Sequence, residues 1–434
     1  MRFSAQFAAV VMSMGLGLAV VLAQRPDAFH QSRDHPSIAY TTRQDTTAVT
    51  ALNERLAEGQ ARLSFDAKSG YLRSVLEAFD IAVDSQVAVF AQNSSQGALI
   101  NPRNPRTVFF TDSVAVGFVR GGTVLEVAAQ DPQQGVIFYT LDQQQADRPQ
   151  FTRKNECLAC HLSWDTLGVP GMFVLSAFPL PEDKNAYATG FVSDHRLPFE
   201  QRWGGWYVTG RPGAVHHMGN VFSVKGDGPS GIGADGLKSL EGQLDLDGYP
   251  APYSDVVALM VLEHQTHMTN LLTRIGWEAR LASFDAQAAS PLPRAPGGGK
   301  SGDARLRDAA QDLVDYLLFV DEAPPSRRVQ GSSGFTERFS ARGPRDSKGR
   351  SLRQLDLEHR LMRYPCSYMI YTAAFDALPA SVKDLVFRRM WQVLSGQERQ
   401  RPYDRLALAD RQAIVEILRE TKKDLPEYFT AVTR

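Results

Sequence analysis

The sequence predicts an α+β protein, with a β-rich first half built around an antiparallel meander and a mainly helical second half. Two observations give this prediction. Short runs rich in Val, Phe and Tyr, separated by Gly and Pro turns, dominate residues 24–252, and apolar residues at helical spacing dominate residues 253–434. We therefore divide the chain after its N-terminal leader into these two regions.

Each run in the first region has the length and composition of a strand. Turn dipeptides such as Gly121-Gly122 and Asp131-Pro132 separate the runs, which favours neighbouring strands joined by short connections. The predicted strands cover residues 85–91, 107–111, 114–119, 123–128 and 135–141, with further candidates at 172–178, 186–192 and 206–209.

Helices are predicted where apolar residues recur every three to four positions. Ser254 and Asp255 have side chains that cap helix N-termini, and a long helix is predicted from there to about Arg280. The other predicted helices cover about 46–63, 71–79, 303–321, 366–377, 382–395 and 407–422, while 222–252 is predicted as a long loop and the Pro- and Gly-rich residues 289–302 as a flexible linker.

The composition is that of an ordinary folded protein and excludes several classes. Hydrophobic residues make up 43% and charged residues 22% of the 434 residues, which excludes wholesale disorder. Lys and Arg number 47 against 48 Asp and Glu, so no basic excess favours nucleic acid or an anionic membrane surface as a partner. Three cysteines in this length exclude a disulfide-based scaffold.

Residues 1–23 have the pattern of a secretory signal peptide. Arg2 precedes an apolar stretch over residues 7–22, and small residues at positions 21 and 23 lie before a cleavage point. A retained membrane anchor is the alternative, but the stretch is shorter than the span of about 20 residues that a membrane helix needs. We expect a periplasmic or otherwise exported protein with no stable membrane span after signal removal.

The motif Cys157-Leu158-Ala159-Cys160-His161 carries the chemistry of the chain. Cys-x-x-Cys-His is the attachment signature of c-type haem. Two thiols three positions apart on one helical turn can add to the two vinyl groups of one porphyrin, and the adjoining His then supplies an axial imidazole to the iron. Export agrees with this prediction, because c-type haem is attached outside the cytoplasm.

Three other interpretations of the two cysteines have weaker support. A thioredoxin-like redox pair would need a βαβ setting, which the preceding strands do not provide. A structural zinc site would need a second ligand pair, and Cys366 stands alone. A disulfide between Cys157 and Cys160 would close a short, strained loop. Cys366 lies in an apolar sequence context and is predicted to be a buried, inert thiol.

On the residues of this motif, the chain resembles c-type cytochromes. The resemblance implies one covalent haem c, with thioether bonds at Cys157 and Cys160 and with His161 as the axial iron ligand. The chain departs from small cytochromes c because strands precede the motif and the mature chain is about four times longer. Segments 202–210 and 217–220 look like those of large exported monohaem proteins, a likeness that implies no activity.

The sixth position on the iron has three candidate ligands. His264 falls on the apolar stripe of the long predicted helix, and His217 and Met218 lie in a loop next to glycines. An open distal site is the alternative. Closed sites favour electron transfer, whereas an open site favours binding or turnover of a small molecule. His195 lies between two charged residues and is predicted to be solvated or ion-paired.

The Trp-rich segment 202–210 has two interpretations. Arg202 pairs with a haem propionate while the aromatic rings line the haem edge, or Trp203 and Trp206 are core residues around a Gly-Gly turn. The core interpretation is favoured, because large aromatic side chains are usually buried.

The sequence therefore predicts an exported monohaem c-type protein that transfers electrons with a periplasmic redox partner. A haem-dependent oxidoreductase that acts on a small molecule at an open distal site is the alternative from another class. Its motivation is size, since about 100 residues suffice to shield one haem. A haem-based sensor or ligand-binding module is a third hypothesis.

Overall fold

The structure is a computed structural model, and it describes residues 32–177, 190–221, 223–224, 229–230, 236–287 and 302–433. The predicted signal peptide at 1–23 and the predicted linker up to residue 301 lie outside the described residues. The chain forms two compact units, Met1–Arg43 and Gln44–Arg434. In the first unit, the amide of Tyr40 donates to the Arg33 carbonyl at 3.1 Å. All elements named below belong to the second unit.

The strands of the second unit are numbered in chain order. They are β1 Val87–Val89, β2 Arg106–Phe110, β3 Val114–Phe118, β4 Val124–Asp131, β5 Gly135–Asp142, β6 Thr152–Arg153, β7 Val174–Ala177, β8 Gly190–Ser193, β9 Trp206–Tyr207, β10 Arg211–Pro212, β11 Ser223–Val224, β12 Pro229–Ser230 and β13 Val329–Gln330. Seven of them form one sheet in the order β6-β5-β4-β3-β2-β1-β9. Every neighbouring pair in this sheet is antiparallel, and β2 to β5 form a meander.

The α-helices are also numbered in chain order. They are α1 Ala48–Ala57, α2 Leu72–Ala78, α3 Leu158–His161, α4 Val256–Gln287, α5 Gly302–Leu317, α6 Phe335–Ala341, α7 Ala373–Asp376, α8 Ala380–Leu394 and α9 Leu408–Thr421. The α+β class is confirmed, because the antiparallel sheet lies in the first half of the chain and the longer helices lie in the second.

Three predicted helices differ clearly from the observed ones, and one of them, α4, continues to Gln287 instead of ending near Arg280. The helix predicted over 366–377 is wrong as a continuous element, because Thr372 is extended and separates a 3₁₀ turn, Tyr368–Tyr371, from the four-residue α7. Helix α1 ends at Ala57 rather than near residue 63. The amides of residues 60 and 61 both donate to the Arg55 carbonyl and close the helix there. Helix α6 was not predicted, since its apolar pattern covers only two turns.

Helix α4 is buried on all sides over most of its length. Every residue from 256 to 273 is buried. One face of the seven-stranded sheet packs on it through alternating apolar residues of β1, β2 and β3, and α5 packs along it. The buried residues of this helix include polar side chains such as Glu263, His264 and Asn270, which must find partners inside the protein. Within the described residues, no helix combines the length and apolar character that a membrane crossing requires.

Asp255 fixes the start of α4 to a distant part of the chain. Its Oδ1 accepts from the amides of Val257 and Ala258, at 2.8 and 2.9 Å, and so caps the helix. Its Oδ2 accepts from the amides of Ser332 and Ser333 and from the Ser333 hydroxyl, at 2.6 to 2.9 Å. The carboxylate is 0% exposed, and these five hydrogen bonds compensate its lost hydration.

Asp255→Asn should lower the free energy of unfolding by about 2–3 kcal/mol. The Asn side chain has an NH₂ group in place of one carboxylate oxygen, so N–H donors would face the backbone N–H groups that this oxygen accepts from. Urea unfolding monitored by circular dichroism measures the change. Asp303→Asn, in the exposed first turn of α5, is the matched control and should change stability by less than about 0.5 kcal/mol. Equal effects of the two substitutions would contradict the assigned role of Asp255.

Candidate functional site

The Cys-x-x-Cys-His motif is attached directly to the edge of the sheet. After β6, the amide of Lys154 donates to the Phe138 carbonyl at 2.8 Å. A 3₁₀ turn, Asn155–Cys157, then runs straight into α3. Cys157 is half-buried, Cys160 is exposed, and both are free thiols. The predicted helical turn between the two cysteines is confirmed.

His161 ends this helical turn and is held by its ring. Its Nδ1 lies 2.9 Å from the Gly171 carbonyl oxygen, which can only accept, so Nδ1 carries the proton and donates. The ring lies against Phe138 and Phe173, with centroids 4.6 and 5.6 Å away. Burial lowers the pKa of His161 to about 4, so the ring is neutral near pH 7. The lone pair is then on Nε2, which makes no hydrogen bond within the described part of the chain.

The loop that follows folds back and supplies the acceptor for His161. Ser163 caps a 3₁₀ turn, Trp164–Thr166, with a reciprocal capping box. The loop ends where the amide of Gly171 donates to the His161 carbonyl at 3.0 Å. One residue earlier, the Pro170 carbonyl accepts from the amide of Val136 on β5 at 3.0 Å. The loop is therefore fastened to the same strand that carries the aromatic ring beneath His161.

Gly171 is also in close contact with α4. A Cβ at this position would lie 2.0 Å from Oδ1 of Asn270, so only glycine fits. The Asn270 amide nitrogen donates to the Met172 carbonyl at 2.8 Å and holds the next peptide unit. Asn270 thus supports the backbone at Gly171 and Met172, and the Gly171 carbonyl in turn orients His161. This supporting role could not be predicted from the sequence.

The donor set fits a c-type haem. Two free thiols lie one helical turn apart, and the adjoining neutral imidazole has its Nδ1 proton engaged and its Nε2 lone pair available. A haem iron is held largely by the porphyrin and needs only axial ligands from the protein. Among the residues that the structure describes, no three His, Cys, Asp or Glu side chains group in a way that would hold a metal ion by themselves.

His264, a candidate sixth ligand, has both ring nitrogens engaged. Its Nδ1 lies 2.8 Å from Nδ1 of His195, and its Nε2 lies 2.7 Å from the Ser367 hydroxyl. The Ser367 oxygen already accepts from the amide of Met369, so its hydroxyl proton is best used toward His264 Nε2. His264 then donates from Nδ1 to His195. No lone pair of His264 remains for iron unless this chain of hydrogen bonds breaks.

His217 and Met218, the other candidates, differ in what their donor atoms do. The His217 Nδ1 accepts from the amide of Gly219 at 3.0 Å, so the neutral ring carries its proton on Nε2. The ring is buried against Trp203, with centroids 5.4 Å apart. Met218 is half-buried, and its sulfur lies 3.9 Å from the Ser176 hydroxyl on β7, a weak contact. The neutral His217 ring therefore uses its lone pair on the Gly219 amide, whereas the Met218 sulfur makes only this weak contact among the described residues.

A second polar cluster surrounds the N-terminal half of α4. Glu263 is fully buried, accepts from the Ser193 hydroxyl and lies 3.5 Å from Nη1 of Arg202. Burial raises the pKa of Glu263 to about 7, and the guanidinium and the hydroxyl oppose that rise. Arg202 also donates to the carbonyls of Leu197 and His195, at 2.7 and 2.8 Å. Every arm of this guanidinium is therefore used inside the protein.

These contacts settle two sequence predictions. The prediction that His195 is a solvated or ion-paired loop residue is wrong: its ring is buried, stacks on Tyr316 at 4.1 Å and pairs with His264. Its partner lies 69 residues away, and no local pattern marks such a pair. The core interpretation of Trp203 and Trp206 is confirmed, since both rings are buried.

Comparison of the chain with protein-family models, with curated proteins and with solved structures finds no match to any of them. The interpretation of the site therefore depends on its residues and geometry.

Gly171→Ala should lower the free energy of unfolding by about 1–3 kcal/mol, because the new methyl group overlaps the Asn270 side chain. Asn270→Ala removes the overlapping atoms and provides the matched background. In that background Gly171→Ala should cost at least 1 kcal/mol less, a coupling that a double-mutant cycle in urea measures. Additive costs would show that the glycine is not required by Asn270.

Proposed function

We propose that this chain carries one covalent haem c, bonded at Cys157 and Cys160 with His161 as the axial iron ligand, and that it transfers electrons outside the cytoplasm. The observation that carries the proposal is the hydrogen bond from His161 Nδ1 to the Gly171 carbonyl. It fixes the tautomer and ring direction that an iron-bound histidine needs, through a backbone acceptor of the kind usual for such ligands.

The haem would supply a one-electron redox couple, and the protein residues would hold and tune it. Cys157 and Cys160 are free thiols available for thioether bonds. Phe138 and Phe173 limit rotation of the His161 ring from two sides. The loop between the motif and Gly171 holds the Gly171 carbonyl within hydrogen-bond distance of His161 Nδ1. These residues lie on β5, in the motif and in the segment that continues from the motif to Phe173.

Exposure around the motif favours electron transfer over chemistry in a closed pocket. Cys160 is exposed, so a group bonded to it would meet solvent or a partner protein. Trp164, three residues after His161, is 82% exposed although it belongs to a capped turn. An exposed large aromatic side chain of this kind is enriched in protein contacts. A periplasmic redox partner that docks beside the motif fits both observations and the predicted export signal.

The sixth iron ligand separates this function from the alternatives. The hydrogen bonds of His264 and His217 use the lone pair of each neutral ring, so Met218 is the candidate whose lone pairs are not used in this way. Ligation by Met218 would close the site and favour electron transfer. If no residue binds there, the site is open. A haem-dependent oxidoreductase acting on a small molecule, or a haem-based sensor, would then be the better hypothesis.

The first test of this function is the intact mass of the chain produced with its leader in cells that attach c-type haem. The expected mass is that of the mature polypeptide plus one haem, which acid–acetone extraction does not remove. Cys157→Ala and Cys160→Ala should each break one thioether bond and leave haem that denaturation releases more readily. Cys366→Ala, at a buried cysteine outside the motif, is the control and should keep the full haem content. A wild-type mass equal to the polypeptide alone would refute the proposal.

A second test measures the sixth ligand. Met218→Ala should convert a low-spin ferrous spectrum to a high-spin one and let carbon monoxide bind, because the thioether no longer occupies the iron. Met172→Ala, at another half-buried methionine near the motif, should leave the spectrum unchanged. If wild-type ferrous protein already binds carbon monoxide and Met218→Ala changes nothing, the oxidoreductase or sensor hypothesis replaces electron transfer.

A further inference from the structure

Arg106 lies on the face of the sheet that carries His161. Residues in register on neighbouring strands share a face, and Ala128 on β4 pairs with Phe138, the ring beneath His161. Two residues before Ala128 on the same face is Glu126, and Arg106 Nε lies 3.1 Å from its Oε2. The Arg106 side chain therefore reaches from β2 across β3 to a point one row of residues away from Phe138.

The fold leaves room for this guanidinium to cross β3. Gly117, opposite Glu126, is the residue beneath it. A Cβ at Gly117 would lie 2.8 Å from Arg106 Nε and 3.0 Å from Nη2. Any larger residue would push the guanidinium off the sheet. The absence of a side chain at Gly117 therefore lets the Arg106 guanidinium lie directly on β3.

Glu126 holds one side of the guanidinium and leaves the other side unused. The Glu126 Oε1 accepts from the hydroxyls of Ser94 and Ser95, at 2.9 and 2.6 Å, so the carboxylate is itself fixed. The terminal nitrogens of Arg106 have no hydrogen-bond or ion-pair partner within the described residues. The Arg106 side chain is only 27% exposed. Four N–H groups of a largely buried, prealigned cation are thus available for an anion.

The charges of Arg106 and Glu126 both act on residues of the Cys-x-x-Cys-His motif. The positive charge of Arg106 lowers the pKa of His161, a smaller effect than burial, while the negative charge of Glu126 raises the pKa of Cys157, again after burial. Both groups of the motif therefore lie within electrostatic reach of the pair.

On the proposed function, the anionic groups that come with a haem are its two propionate carboxylates. We propose that Arg106 binds a propionate of the haem through its terminal nitrogens, with Glu126 and Gly117 as positioning residues. A planar guanidinium matches a carboxylate with two parallel hydrogen bonds. Arg202, the arginine that the sequence suggested for this role, is 2% exposed and fully used by Glu263 and two carbonyls.

The test uses the haem-loaded chain and measures reduction potential against pH, after intact mass has shown that haem is attached. In wild type, Arg106 should hold the propionate ionised, so the potential stays flat through the mildly acidic range. Arg106→Gln removes a positive charge near the iron. The potential should fall, and a new pH-dependent step should appear as the propionate titrates above the ordinary carboxylic-acid pKa of about 4. Arg103→Gln, at an exposed arginine in the turn before β2, is the charge-matched control and should change neither property.

Two further variants separate propionate binding from a general charge effect. Arg106→Gln with Glu126→Gln restores the local net charge, so its potential should return toward wild type, but the propionate step should remain. Arg106→Lys keeps the charge without the planar fork and should give a smaller step; it also provides a readout if Arg106→Gln does not retain haem. Haem-loaded variants with a wild-type potential and no new pH dependence would overturn this inference and leave the proposed function standing. A wild-type chain without haem would overturn both.

Discussion

The burial of α4 is the constraint on which the other parts of the structure depend. A helix enclosed over residues 256–273 cannot leave polar side chains unpaired without a cost of several kcal/mol for each. The polar side chains of α4 therefore pair with residues from distant parts of the chain. Ser193 and Arg202 pair with Glu263, and His195 and Ser367 pair with His264. These contacts join the β-rich and helical halves of the chain around one core.

The candidate site takes its geometry from that core. His161 is oriented by a backbone carbonyl, that carbonyl belongs to a glycine held against α4, and the aromatic ring under the imidazole belongs to β5. A ligand whose direction is set by three separate elements loses little freedom when it binds, which is the usual requirement for a tuned metal site. The same face of the sheet carries the Arg106–Glu126 pair, so the spacing between this pair and Phe138 beneath His161 is set by one sheet.

The sequence predicts the parts of this molecule that depend on local pattern. Short runs rich in Val, Phe and Tyr, bounded by turn residues, located β2 to β5, and the Cys157–His161 spacing located a helical turn with two thiols. It does not predict pairs that meet only in the folded chain. His195 has a charged neighbour on each side and resembles a surface residue, yet its partner on α4 makes it part of the core. Likewise, nothing near Gly171 indicates that Asn270, 99 residues later, makes a glycine necessary.

If the proposed haem is bound, the identity of the acceptor on His161 has a consequence for the chemistry of its iron. A carboxylate at this position would pull the Nδ1 proton away and give the ring partial imidazolate character, which strengthens its donation to ferric iron. The Gly171 carbonyl carries no formal charge, so the ring stays a neutral and weaker donor. A haem ligated in this way has less stabilisation of its oxidised forms. On the proposed function, the backbone at this one glycine would favour reversible exchange of single electrons over the activation of peroxide or oxygen.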